Sequence, residues 1–376
     1  MRSKSNAFRV LILPSSSVDT ERIALQMQDY PFLPAFTAKN LDSCIIASSE
    51  EILKFADMVA KFPGVDSVLV GKKVDNLDVA AIEIKDMIMK LAEKKDKYAI
   101  KVRCLDSECN ETDVSMLLTS KCIDLLSPLG FKLSERDAKL RIDVAVASNL
   151  LFVSYIQKAG LGGKEFGSAG KAVIMFKGDI NCLLATLYLL KLGFYPILVA
   201  AIDVRSASKT IRQIVENACL VREYIPVKEF YLHLIPVRID CLSDRVEIRH
   251  GYLREVAELV ASANSAVIIA TGITMDNATP SILSIYHKSK FTVVHPLLSM
   301  DKQDISKVAP SFFGEHVKPI TSDPLGSKIS KEFGEETLKE FALLSVRSSV
   351  SIKLANRSLY NTSLDEAMDK LQAAVK

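Results

Sequence analysis

The chain has 376 residues, with 49% hydrophobic and 25% charged positions, 13 prolines and 15 glycines. Values this close to globular averages exclude a lone small module, a collagen-like repeat and a wholly disordered polymer. Its 48 lysines and arginines stand against 45 aspartates and glutamates, a formal net charge of +3, so an RNA reading has to rest on where the charges lie, not on their sum.

The opening MRSKSNAFRVLILP has an apolar run too short for a signal-peptide core. Strand-like stretches at 8–13, 44–47 and 66–71 alternate with helical patterns near 19–29 and over 50–62, which predicts a small α+β unit over 1–75. After Asn76 the pattern restarts, with a helix over 77–93, a strand over 98–104, a helix over 113–126 and strands over 140–147 and 150–156. Ser148 and Asn149 fold the last two strands into a hairpin, and the alternation in LRIDVAVA gives that hairpin one solvated face. This second α+β unit spans 76–160. Gly160, Gly162, Gly163, Gly167 and Gly170 then cluster in AGLGGKEFGSAG, the strongest boundary signal in the chain.

Beyond it, strands over 171–176, 195–203, 228–237 and 265–272 alternate with helices reaching Lys191 and over 208–221 and 254–263. Near-continuous apolar strands in a β–α order predict a doubly wound parallel sheet over 161–324, with ligands at the carboxyl ends of its strands. Residues 181–202 are apolar and long enough to span a membrane, but Lys191, Gly193 and Pro196 interrupt them. A helix stop followed by a strand is the simpler reading, and no membrane partner is expected. The tail over 325–376 carries amphipathic patterns at 335–344 and 363–375 and is predicted helical.

The seven cysteines (Cys44, Cys104, Cys109, Cys122, Cys182, Cys219, Cys241) are odd in number and lack CxxC spacing. That predicts mostly buried thiols in a reducing, cytoplasmic setting rather than a disulfide framework. The five histidines show no zinc spacing, and no GxSxG or Walker loop occurs, which argues against a metal hydrolase, a serine hydrolase and a Walker-type NTPase.

Two patterns carry candidate chemistry. In IMFKGDINCLLATLYLLKLGF (174–194) a strand runs into a helix through Gly178, a place where free helix N–H groups meet an anion, or else a purely structural turn. In 72–158 the 15 basic and 14 acidic residues nearly cancel. Even so, Lys94, Lys95, Lys97, Lys101 and Arg103, with Lys132, Arg136, Lys139 and Arg141, form clusters that give either a phosphate-binding face or ordinary solvated faces.

The order of units, the glycine segment GLGG…FG…GK (160–171) and the strand–loop–helix after it resemble the 4-thiouridine synthetases, or tRNA sulfurtransferases, over roughly residues 8 to 320. RHGYLREVAELVA (249–261) resembles that family's arginine-rich helix, with Arg249 and Arg254 matching. SAVIIATG (265–272) resembles its next strand, ending in Thr271 and Gly272, and VVHPLLSMDKQDI (293–305) resembles a later stretch, with His295 at an arginine position. The resemblance implies an N-terminal ferredoxin-like domain and a THUMP domain that bind tRNA, then a PP-loop ATP pyrophosphatase domain that adenylates a uridine before sulfur enters.

The family loop reads Ser-Gly-Gly-x-Asp-Ser, and Lys177, Gly178, Asp179, Ile180, Asn181 and Cys182 stand there. Asp179 puts a carboxylate where backbone should approach phosphate, with Lys177 as its compensating cation. The family's reactive cysteine has no counterpart in 306–326, and Cys182, near a helix N-terminus, is either its replacement or an inert stand-in for serine. The resemblance therefore implies a tRNA-binding protein whose ATP and Mg sites are weakened or lost. The alternatives are an active ATP-dependent tRNA sulfurtransferase, in a family linked to thiamine thiazole synthesis, with Asn181 and Cys182 as catalytic residues and Cys182 or an external sulfur donor completing the reaction, or a scaffold that pairs with an active paralogue; a homodimer is a further partner expectation.

Overall fold

A computed structural model describes residues 8–93, 96–203, 208–237, 246–314, 316–317, 335–354 and 370. These fall into two compact units that meet between Gly163 and Lys164.

The first unit runs β1 (Arg9–Pro14), α1 (Thr20–Asp29), β2 (Phe36–Leu41), β3 (Cys44–Ser49), α2 (Ile52–Ala60) and β4 (Val65–Val74). It continues through α3 (Leu77–Leu91), β5 (Lys97–Cys104), α4 (Glu111–Leu126), β6 (Lys132–Leu133), β7 (Leu140–Ala147) and β8 (Leu150–Ala159). The helix starts follow from local chemistry. Asp19, Asn76 and Asn110 each accept a backbone N–H of the first turn, which satisfies donors that the helix leaves bare.

All eight strands join one sheet in the order β2-β3-β1-β4-β8-β7-β5-β6. The first four, with α1 and α2, make a ferredoxin-like split βαβ, and β4 carries the sheet onward by pairing β1 on one edge and β8 on the other. Two separate cores form on it. One gathers α1 and α2 around Phe55, Phe62 and Ile12, and the other gathers α3 and α4 around Ile84, Tyr98 and Leu126.

The β7–β8 hairpin turns at Ser148 and Asn149 as the sequence predicts. The edge strand β2 goes beyond the sequence reading: FTAKNL is polar and almost wholly exposed, so it shows no period-2 burial and is held by its register on β3. The glycine segment is bonded into this unit at its start, with Gly160 N–H to Asp66, Leu161 N–H to Ala60 and Gly162 N–H to Val65.

One cysteine expectation is corrected. Cys104, at the end of β5, and Cys109, just before α4, form a disulfide with Cα atoms 5.6 Å apart, because the β5–α4 turn folds the chain back within bridging distance. Cys44, Cys122, Cys182 and Cys219 are buried free thiols, and Cys241 lies outside the described residues.

The second unit runs β9 (Lys171–Met175), α5 (Ile180–Lys191), β10 (Tyr195–Asp203), α6 (Ser208–Arg222), β11 (Tyr231–Val237), α7 (Val246–Asn264) and β12 (Ile268–Ala270). It ends with α8 (Pro280–His287), β13 (Thr292–Val294), α9 (Lys302–Phe313), α10 (Glu335–Arg347) and β14 (Val350–Lys353). The sheet order β13-β12-β9-β10-β11-β14 is parallel except for β14. Val173 and Met175 of β9 pack on α7 and α10, while alternate residues Ala172, Ile174 and Phe176 are buried toward the other face.

This is the doubly wound parallel sheet that the sequence predicts. The apolar run at 181–202 divides into α5 and β10, and no helix among the described residues is long and apolar enough to cross a membrane. The tail departs from the expected all-helical packing. After α10 it returns as β14, antiparallel on β11 with Leu232 opposite Ile352, because VSIK is β-branched and offers an edge strand. The helical pattern at 363–375 lies outside the described residues apart from position 370.

Candidate functional site

Strand order reverses at β9: the chain moves one way through β10 and β11 and the other way through β12 and β13. The crevice at the carboxyl ends of β9 and β12 is therefore where such a fold binds ligands. A cavity of about 350 Å³ opens there, lined among others by Lys177, Asp179, Asn181, Cys182, Thr271 and Gly272. The loop positions singled out from sequence and the Thr-Gly strand end thus come together.

The loop is held by its own hydrogen bonds. The Asp179 carboxylate accepts the Cys182 N–H at 2.8 Å, so the N-terminus of α5 is capped by its own chain. The Lys177 N–H points to the Cys182 Sγ at 3.4 Å, and that thiol reaches the Met175 carbonyl at 3.4 Å. Gly178 has φ +79°, and a Cβ there would sit 2.9 Å from the Ile214 Cα. Its carbonyl accepts the Asn217 side-chain N–H at 2.7 Å. Gly178 is thus required by the close packing of the loop on α6.

Gly272 has a similar reason: its Cβ would lie 3.0 Å from the Cys182 N and 3.1 Å from its Sγ. Ile180 is half-buried at the first position of α5, and Asn181, also half-buried, faces the cavity.

Cys182 itself is 1% exposed. Burial, reinforced by the Asp179 charge, pushes its thiol well above the usual cysteine range. The helix N-terminus that would lower it is already engaged with Asp179, so the thiolate needed for sulfur chemistry is disfavoured.

Sequence reasoning missed the opposite wall. His250, Asp276, Asn277, Thr279 and Tyr286 line the same cavity. His250 Nδ1 lies 2.9 Å from the Tyr286 hydroxyl, and Thr271 Oγ1 lies 2.7 Å from His295 Nδ1. Burial, with the Lys177 charge second, pushes the His250 imidazole down to about 4, and burial lowers His295. Both rings are therefore neutral at pH 7. The usable signal was that TGITMDNATPS follows a strand end in a parallel sheet, the position where ligand-contacting loops sit.

The basic residues divide. Lys97, Lys101 and Arg103 lie on β5, Lys132 on β6, Arg136 and Lys139 between β6 and β7, and Arg141 on β7, so three adjacent strands at one end of the first sheet gather seven cations. Lys97 pairs with Asp137, Arg103 with Asp143 and Lys139 with Asp96. Lys101, Lys132, Arg136 and Arg141 are exposed and make no ion pair among the described residues. Lys101 and Arg141 line a cavity of about 560 Å³ with Glu135, Asp143, Tyr155 and Gln157. Lys94 lies outside the described residues.

In the second unit Arg249 is half-buried on α7. The Arg254 side chain is 6% exposed and bound to Glu255, to Glu258 at 3.6 Å and to the Ile285 carbonyl at 3.2 Å, which withdraws its guanidinium from any RNA.

No protein-family model matches the sequence. The chain is similar to a 4-thiouridine synthetase solved in complex with RNA and with bound ATP: 16% identity over 93% of this chain and 100% of that one, TM-score 0.68. It is also similar to PH1313 from Pyrococcus horikoshii Ot3, at 13% identity over 81% of this chain and 99% of that one, TM-score 0.59. The fold is thus that of the synthetases, an α/β chain with ferredoxin-like, THUMP-like and PP-loop-type parts. At these identities the likeness carries the fold alone.

Proposed function

We propose that this chain is a tRNA-binding protein on the 4-thiouridine synthetase fold that takes part in tRNA modification without adenylating or thiolating RNA itself. RNA binds through the cations of β5–β7. The four-part division at 75/76, 160/161 and 324/325 belongs to this reading, with each core of the first sheet serving one RNA-binding part. The observation that carries it is the capped loop: the Asp179 carboxylate occupies the helix N-terminus where a triphosphate would bind, and like charges repel there.

ATP therefore does not fit the residues present. The retained chemistry is recognition, with an active paralogue or other partner supplying catalysis.

Titration of full-length chain with tRNA at several salt concentrations tests the RNA part. Affinity should fall steeply with salt. The double variant Lys101→Ala/Arg141→Ala should bind at least about tenfold more weakly, with a log–log salt slope shallower by roughly 2. An unchanged slope would place the RNA elsewhere.

A further inference from the structure

In a doubly wound sheet the helices that follow the strands aim their N-termini at the ligand crevice, and bare N–H groups there attract phosphate. Around this crevice the N-termini of α5, α8 and α9 are closed by the chain itself. Asp179 caps α5, and Thr279 Oγ1 accepts the Ile282 N–H of α8 at 3.3 Å. On α9, Asp301 accepts the Asp304 N–H at 2.8 Å while Asp276 accepts the Lys302 N–H at 2.9 Å.

Asp179, Thr279 and Asp276 also line the crevice. Among the described residues its charged lining is two carboxylates against the ammonium of Lys177, the reverse of a phosphate site. The rest of the described lining is uncharged. Met175, Leu253 and Ile282 offer apolar surface for a planar ring, and Asn277, Thr271 and the neutral His250 offer hydrogen bonds without charge. A volume of about 350 Å³ lies at the small end of the roughly 300–1,000 Å³ range of small-molecule sites, enough for a heterocycle with one sugar.

We propose that this crevice binds an uncharged nucleoside and rejects its phosphorylated forms, with Asp179 as the residue that discriminates. The inference rests on the reading that the loop is closed to triphosphate. It extends that reading by giving the crevice a ligand of its own class.

Calorimetric titration of full-length chain with adenosine, uridine, AMP and ATP, each with Mg, tests it. One of the two nucleosides should bind at least about tenfold more tightly than ATP, and the adenosine and uridine arms show which base is held. Asp179→Asn keeps a good helix cap while removing the charge. It should narrow the gap between nucleoside and ATP by about tenfold, through tighter binding of ATP.

No binding of either nucleoside, with tRNA affinity intact, overturns this inference and leaves the proposed function standing. Tighter binding of ATP than of nucleoside by the natural chain overturns both. A gap that stays the same in Asp179→Asn removes Asp179 as the discriminating residue.

Discussion

Replacing Arg254 by methionine is expected to destabilise the chain by about 3–5 kcal/mol and to leave tRNA affinity unchanged. The guanidinium is held among Glu255, Glu258 and the Ile285 carbonyl with almost no exposed surface. Methionine fills similar volume but strands two nearly buried carboxylates, which is the costly way to break such a group. Denaturant unfolding reads the first effect and tRNA titration well below the transition reads the second. A stable variant with tenfold weaker tRNA binding would instead make Arg254 an RNA contact.

Gly178→Ala is the second large effect. The position has φ +79° and a new Cβ would lie 2.9 Å from both the Cα and the Cγ1 of Ile214. The left-handed backbone costs a non-glycine residue about 1–2 kcal/mol, and forcing a methyl against helix backbone adds about 1–3 kcal/mol. The combined loss should appear as a clear drop in the thermal midpoint. A variant that keeps its stability but changes nucleotide affinity would show that the glycine serves a ligand and not the packing of the loop on α6.

These two positions show what sequence could and could not say. The apolar periodicities of β9, α5 and β10 placed the crevice correctly, because strand–loop–helix order and strand ends follow from local pattern. Burial does not follow from residue type. Arg254 reads as a cation in RHGYLREVAELVA, and only its spacing to Glu258, one helical turn on, hinted at an internal pair. Gly178 reads as room for phosphate until Ile214, 36 residues later, is found against it.

The His250 wall was invisible for the same reason. It joins α7 to the loop 273–279 and α8 across the crevice, a contact between segments with no shared local signal. By contrast, the cations of β5–β7 were named from sequence, and the β5–β6 and β5–β7 registers bring them together: Lys97 stands opposite Lys132 and Ala99 opposite Arg141.

The most direct test of an RNA-binding chain without adenylation is pyrophosphate release from γ-labelled ATP, with Mg and tRNA present at concentrations where the tRNA complex is shown to form. The expected result is a tRNA complex with no pyrophosphate above the protein-free control. Pyrophosphate release that depends on both the chain and tRNA would contradict it, and would mean that Lys177 and its neighbours hold a triphosphate despite Asp179.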